Sequence, residues 1–332
     1  MNNAFRRTVS QCGIREFDGR QRVVIENVAP ELDGGKYRAK AVEGGMVTVE
    51  ADIFVDGADT LCAEICFRPG AGDAWQRTPM APIGNDRWRG SFKVGLPGTF
   101  FYTIEAWPDH FLTWRKGLAK KVDAGMDVSL DLQIGAQFVD SAAARASKTD
   151  AAKLKKFSEV LRSGKGNKPV SAGLGDDLGR LMELYPDKSL AAVYEKELGV
   201  TVEQKKAGFG AWYELFPRSW SEVPGKHGTF NDCLRLLPMI AGMGFDIIYL
   251  PPIHPIGYTK RKGKNNALSA ASGDPGSCWA IGNKDGGHKA VHPELGTIDE
   301  FAAFVEEAEI LGISVALDIA FQCSPERTDG QG

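Results

Sequence analysis

The densest chemistry in the sequence lies in Lys260-Arg261-Lys262-Gly263-Lys264-Asn265-Asn266, four cations within five positions followed by two amides. Lysine offers a point charge and arginine a planar fork, so the run suits the oxygens of an anionic ligand such as a phosphate. A solvated basic loop has the same composition, and composition does not separate the two. Trp279, within Trp279-Ala280-Ile281-Gly282-Asn283, can stack on a sugar ring or pin a long loop. Asp318 stands near the end of the apolar run Ile313-Ser314-Val315-Ala316-Leu317-Asp318-Ile319, where a carboxylate must be paired or hydrogen-bonded. It reads as support for a site more than as a reacting group. His254, His288 and His292 have no tight ligand spacing and no acidic third ligand at a telling interval, so no metal is expected. Cys278 and Cys323 have no assignable histidine partner and default to inert thiols.

The elements that must hold these groups alternate from residue 206 onward. Phe209 to Phe216 reads as a short buried strand, Cys233 to Gly244 as a helix, and Phe245 to Leu250 as a second buried strand. A long Gly- and Asn-rich loop follows from about 254 to 290, then a helix over Ile298 to Leu311 and a third strand over 313–319. Near-continuous apolar strands alternating with amphipathic helices predict a parallel α/β sheet. No Gly-x-Gly-x-x-Gly turn is present, so no dinucleotide site is expected. A (β/α)₈ barrel, with its chemistry on loops after the strand C-termini, is the expected fold. Three strands are far fewer than the eight such a barrel closes with, so the barrel is expected to be incomplete.

Upstream, residues 22–125 carry short alternating strands separated by turn signals such as Pro69-Gly70 and Leu96-Pro97-Gly98. They predict an antiparallel, immunoglobulin-like β-sandwich. The aromatics of the run Phe100 to Trp107 read as packing before they read as a sugar platform. Residues 126–205 change to helical spacing, with helices expected over Thr149 to Leu161, Asp177 to Tyr185 and Ser189 to Leu198. The expected organisation is therefore a β-sandwich domain at 1–125, an α-helical insert at 126–205 and the start of the barrel at 206–332.

At 332 residues, with 43% hydrophobic and 25% charged side chains, the chain is long enough for two or three cores. A formal charge of −3 argues against electrostatic binding of nucleic acid or of a membrane surface. No apolar run is long enough to span a bilayer, and Met1 to Arg7 lead into no signal-peptide core. The six cysteines, Cys12 among them, are scattered. Cys62 and Cys66, four apart on one strand face, are too distant for a disulfide. A reduced, cytoplasmic protein is expected.

Several segments together carry a family resemblance: Ala211-Trp212-Tyr213-Glu214-Leu215-Phe216-Pro217-Arg218-Ser219, His227-Gly228-Thr229, Gly244 to Gly257, Arg261 to Asn266, Trp279 to Gly282, and Leu317-Asp318-Ile319-Ala320-Phe321-Gln322-Cys323-Ser324-Pro325. They resemble the α-1,4-glucan:maltose-1-phosphate maltosyltransferases, a family within the α-amylase clan (glycoside hydrolase family thirteen). Where that clan carries Asp-x-x-x-Asn-His, this sequence has Asp318, Gln322 and Cys323, the pattern of the maltosyltransferase subgroup. The resemblance implies that Lys262 and Gln322 contact a donor maltosyl group, with Asn266 and Trp279 lining the same end. It implies α-maltose 1-phosphate and α-1,4-glucan as partners, a homodimer, and no metal or organic cofactor. The implied reaction is retaining transfer, with a carboxylate nucleophile and an acid/base group that the family draws from its fourth and fifth strands. The sequence stops after the third strand, and Glu326 to Gly332 depart from the family's Asp-His-Pro-Trp continuation, so a fragment without catalytic carboxylates is expected. Competing expectations are an amylase-like hydrolase or trehalose-processing enzyme, and a non-catalytic glucan-binding module.

Overall fold

The structure, a computed structural model, describes residues 19–164 and 166–326. Cys12, the N-terminal residues and the tail after Glu326 lie outside the described residues. The chain divides into two compact units, with the boundary between Gln204 and Lys205.

The first unit runs β1 (Val24–Ala29), β2 (Ala39–Val42), β3 (Met46–Phe54), β4 (Leu61–Arg68), β5 (Gln76–Pro79), β6 (Ala81–Gly84), β7 (Arg87–Lys93) and β8 (Gly98–Pro108). It continues with α1 (His110–Asp123), α2 (Ser129–Arg145), α3 (Lys148–Arg162), α4 (Asn167–Leu174) and α5 (Asp176–Leu184), then β9 (Ala192–Val193) and β10 (Leu198–Glu203). One sheet has the order β1-β3-β7-β6, and the other β2-β10-β8-β4-β5 with β9 also on β8. Strict alternation in β3 turns Val47, Val49, Ala51 and Ile53 inward, where they meet Ile65, Tyr102, Ile104 and Val200 of the opposite sheet in one core. Glu50 and Asp52 face outward and pair with Arg87 on β7.

The structure corrects the expected helix over Ser189 to Leu198. That stretch contributes β9 and leads into β10, whose Leu198, Val200 and Val202 are buried at every second position. A register with β8 from Leu198↔Tyr102 to Val202↔Gly98 gives these residues a ladder that the helical spacing of Leu190, Val193 and Tyr194 does not offer. The second sheet thus draws a central strand from beyond residue 125. Its β2–β10 pair is parallel, so the sandwich is not wholly antiparallel as expected. Glu105 of β8, 3% exposed, is held by Arg77 and by Lys188 at 2.9 Å. A carboxylate buried this deeply needs such partners.

Helices begin earlier than the expected residue 126. Asp109 caps α1 by accepting from the Leu112 N–H at 2.8 Å, and α1 buries Phe111, Trp114 and Leu118. Helix α2 comes so close that a Cβ on Gly135 would overlap the Trp114 ring. The Trp114 indole N–H donates to the Asp131 carbonyl at 2.7 Å.

The second unit contains β11 (Trp212–Glu214), α6 (Phe230–Leu234), α7 (Leu237–Gly242), β12 (Ile247–Leu250), α8 (Ile298–Ile310) and β13 (Ser314–Leu317). Its three strands are parallel in the order β11-β12-β13. The expected helix over Cys233 to Gly244 is two pieces, because Pro238 lies in the first turn of α7 and cannot continue α6. Capping boxes start α6 (Thr229 with Asp232) and α8 (Thr297 with Glu300). Phe230, Leu237, Ile240, Ile248, Leu250 and Phe304 form the core. The first strand is less buried than expected: as an edge strand, β11 leaves Trp212 55% exposed, and only Leu215 beyond it is fully inside.

Gly135→Ala is expected to cost about 1–3 kcal/mol through overpacking against Trp114, read as a lower denaturant midpoint. At the other sheet, β13 forms an edge and the residues after it leave Ile319 73% and Phe321 90% exposed. Unpaired apolar edges promote association. Phe321→Lys is therefore expected to reduce concentration-dependent self-association in sedimentation velocity, and a wild-type chain monodisperse at every concentration would count against this.

Candidate functional site

Parallel pairing puts the ends of β11, β12 and β13 on one side of the sheet, where Asp318 and Trp279 meet. Asp318 directly follows β13. Its backbone N–H donates to the Leu250 carbonyl at 3.0 Å, extending the ladder by one rung. Its Oδ2 accepts from the Tyr249 hydroxyl and from the Trp279 indole N–H, each at 2.7 Å. The adjacent carboxylate pushes the Tyr249 phenol up to about 12, because the hydrogen bond favours the protonated phenol. Trp279 also packs edge-on against Phe216, with ring centroids 6.1 Å apart. One carboxylate thus joins the end of β12, the end of β13 and the long loop between them.

That loop is woven with little regular secondary structure. Gly257 N–H donates to Ala280 O at 2.8 Å, Gly282 N–H to Pro255 O at 2.7 Å, and Ser324 N–H to Ile281 O at 2.7 Å. Asn283 adds a side-chain bond to Ile256 O at 2.9 Å, over the buried Ile256 and Ile281. Glu326 closes the weave. Its Oε2 accepts from the Tyr258 N–H at 3.0 Å and its Oε1 from the Thr259 N–H at 2.7 Å. The hydroxyls of Thr259 and Ser324 donate to the same carboxylate. These donors hold the Glu326 carboxyl down to about 2, the Ser324 and Thr259 side chains contributing most. A depressed carboxyl stabilises the fold above its ordinary value of 4.5, and that stability is lost as the pH falls through about 2.

Within the basic loop the cations divide. Arg261 is committed to structure, donating to Pro275 O at 2.7 Å and lying 5.1 Å from the Tyr258 ring centre. Lys262 is half-buried and Lys264 exposed. Asn265 and Asn266 take left-handed backbone, with φ of 55° and 61°, a conformation that asparagine tolerates better than most residues. Of the sequence-derived site residues, Asp318 and Trp279 are brought into direct contact, while Asn266 and Gln322 are exposed. Tyr249 and Glu326 were not singled out from sequence. Tyr249 had a signal: a hydroxyl within an aliphatic strand needs a partner when half-buried.

The histidines pair off beside this weave. His254 and His288 lie 5.4 Å apart, donating respectively to Ala290 O and Ala320 O. His227 and His292 stack at 5.5 Å, and their ligand atoms together with those of Glu294 lie within 4.8 Å of one another. The hydrogen bonds do not suit a metal there. A backbone N–H can only donate, so the Glu294 N–H at 3.2 Å occupies the His292 Nδ1 lone pair, leaving the neutral ring's proton on Nε2. Burial, and then the neighbouring His227, push the His292 imidazolium down toward the neutral form. A cleft is lined by His227, His254, His292, Arg218 and the residues after β11 and β12. Cys278, beside Trp279, has its thiol pushed up chiefly by burial, so it is not an activated nucleophile.

Residues 21–204 match the family model described as alpha-1,4-glucan:maltose-1-phosphate maltosyltransferase, domain N/S. The Chlorobaculum tepidum protein named alpha-1,4-glucan:maltose-1-phosphate maltosyltransferase is 62% identical over 312 residues, covering 94% of this chain and 47% of that protein. The Myxococcus xanthus protein of the same name is 49% identical, covering 92% of this chain and 47% of that protein. An α-amylase structure from Lactobacillus plantarum aligns with 36% of this chain and 24% of its own at 35% identity and a TM-score of 0.29. The chain belongs to the α-1,4-glucan:maltose-1-phosphate maltosyltransferase family. It spans about half the length of the curated relatives it matches. Among the described residues, no helix is long and apolar enough to cross a membrane.

Replacing Asp318 with Asn removes the charge beside Tyr249. The Tyr249 phenol is then expected to fall from about 12 toward the ordinary value of about 10, measured on ¹³Cζ-labelled tyrosine by NMR. An unchanged titration would mean that the pair does not persist in solution.

Proposed function

We propose that this chain provides the donor-binding part of a maltosyltransferase that moves maltosyl units from α-maltose 1-phosphate to the non-reducing end of α-1,4-glucan. The observation that carries the reading is the Asp318-x-x-x-Gln322-Cys323 pattern at the end of β13, tied through Trp279 to the loop that bears Lys262. Lys262 is the cation of that loop assigned to the donor, and Gln322 offers an amide to its hydroxyls. Asn266 and Trp279 line the same end. The name shared by the relatives supplies the substrates.

On this reading the two sheets of the first unit form an immunoglobulin-like sandwich, and β11, β12 and β13 are the opening strands of a (β/α)₈ barrel. Retaining transfer needs two carboxyl groups about 5–5.5 Å apart, one to attack the anomeric carbon as phosphate leaves and one to serve as acid and then base. In the family these come from strands that follow the third. The part these residues play is therefore to hold the donor, and the assembly is a cytoplasmic homodimer.

Calorimetric titration of the chain with α-maltose 1-phosphate tests the reading. Binding is expected, with Lys262→Ala and Gln322→Ala each weakening it by about tenfold, the loss of one charge-assisted or buried hydrogen bond. Equal affinity for maltose and α-maltose 1-phosphate would favour a plain glucan-binding module. No binding of either would remove the donor assignment.

A further inference from the structure

Glu326 has no role in the donor assignment above, yet its carboxylate is more fully engaged than that of any candidate residue in the second unit. Two backbone N–H groups and two hydroxyls converge on its two oxygens. Three of those donors belong to Tyr258 and Thr259, just ahead of Lys262 on the basic loop. The fourth belongs to Ser324, two residues beyond Gln322.

We propose that Glu326 is a positioning residue that clasps the Lys262 loop to the Gln322 segment and so sets the distance between the two donor contacts. This deepens the donor reading and rests on it. Both ends of the clasp are independently fixed. Ser324 is 5% exposed, and its N–H is held by Ile281 O at 2.7 Å. The Cys323 backbone bridges Ile281, which in turn bridges Ile256. Gly257 allows the close approach, because a Cβ there would overlap the Ser324 side chain and sit 2.9 Å from Glu326 Oε2. Lys262 itself is on a long stem, and its loop contains left-handed turns at Lys260, Asn265 and Asn266. Such a loop has many alternatives, and fixing its origin at Tyr258 and Thr259 removes the largest of them. The chemistry of the clasp demands a carboxylate. All four partners donate, so an amide in its place would turn one of its NH₂ hydrogens toward another donor.

The test compares Glu326→Gln, Glu326→Asp and the unaltered chain in two measurements: hydrogen exchange at the Tyr258 and Thr259 amides without ligand, and calorimetric affinity for α-maltose 1-phosphate. Glu326→Gln is expected to speed exchange at both amides and weaken binding, each by about tenfold, the order of one charge-assisted bond lost at each end. Glu326→Asp keeps four acceptor sites and is expected to restore part of both, which a generally damaged fold would not do. If Glu326→Gln does not fold, Thr259→Val and Ser324→Ala each remove one hydroxyl and are expected to produce the same two changes in smaller measure. Unchanged exchange in these variants overturns the clasp, and loosened amides with unchanged affinity overturn its positioning role. An unaltered chain with protected amides and no affinity for α-maltose 1-phosphate sinks the donor reading, and the positioning role with it, while leaving the clasp as a structural contact.

Discussion

The organisation of the second unit turns on the satisfaction of one carboxylate at the end of an apolar strand. Asp318 is half-buried where β13 stops, and leaving its charge there without partners would be unfavourable. Parallel pairing supplies the first donor, since the Tyr249 hydroxyl reaches it from the neighbouring strand. The second donor, Trp279, comes from within the long loop. Meeting the electrostatic need of Asp318 therefore requires that the loop fold back over the strand ends, which turns a sheet with a flexible connection into a shaped surface.

A loop running from about 254 to 290 with little regular structure is longer than most connections in compact folds. It stays ordered because its backbone groups are bonded to each other in place of a ladder. The segments around Ile256, Ile281 and Ser324 form three short extended runs joined by isolated bridges, with the two isoleucines buried beneath. The histidine pairs do the same work nearby, each ring tied to a backbone carbonyl or N–H. Exposed Lys264, Asn266 and Gln322 then sit on a surface whose framework is already paid for.

Legibility in the sequence followed how local each interaction is. Alternation in β3 involves neighbours two residues apart and can be read directly, whereas the cap of α3 falls on Ser147, ahead of the Thr149-Asp150 pair. The parallel sheet of the second unit is likewise visible in its apolar runs. The stretch from Ser189 to Leu198 misleads because its pairing partner, β8, lies about ninety positions upstream, and helical spacing of Leu190, Val193 and Tyr194 carries no trace of that partner. Lys188 shows the same limit, since its position is set by Glu64 and Glu105. At the candidate site, Asp318 was readable because a carboxylate in an apolar run demands an explanation. Its two donors were not identified, and Arg261 looked like a ligand contact until Pro275 and Tyr258 were seen to occupy it. Glu326 belongs to a stretch that departs from the family pattern, so the resemblance carries no signal for it.

The way the polar groups are used argues for what this surface can do. Asp318 Oδ2 already receives two donors, and Glu326 receives four, which holds it ionised down to about pH 2. A carboxylate so stabilised is a poor nucleophile, and one so acidic has no proton to give to a leaving group near neutral pH. The cysteines Cys233 and Cys278 offer no alternative, as burial raises both thiols. In contrast, Lys262 and Gln322 bring a cation and an amide without anchoring the framework. Gln322 is exposed and Lys262 half-buried, while the carboxylates are turned to the scaffold. That division suits recognition of an anionic, hydroxyl-rich ligand, and it leaves bond-breaking to groups other than these.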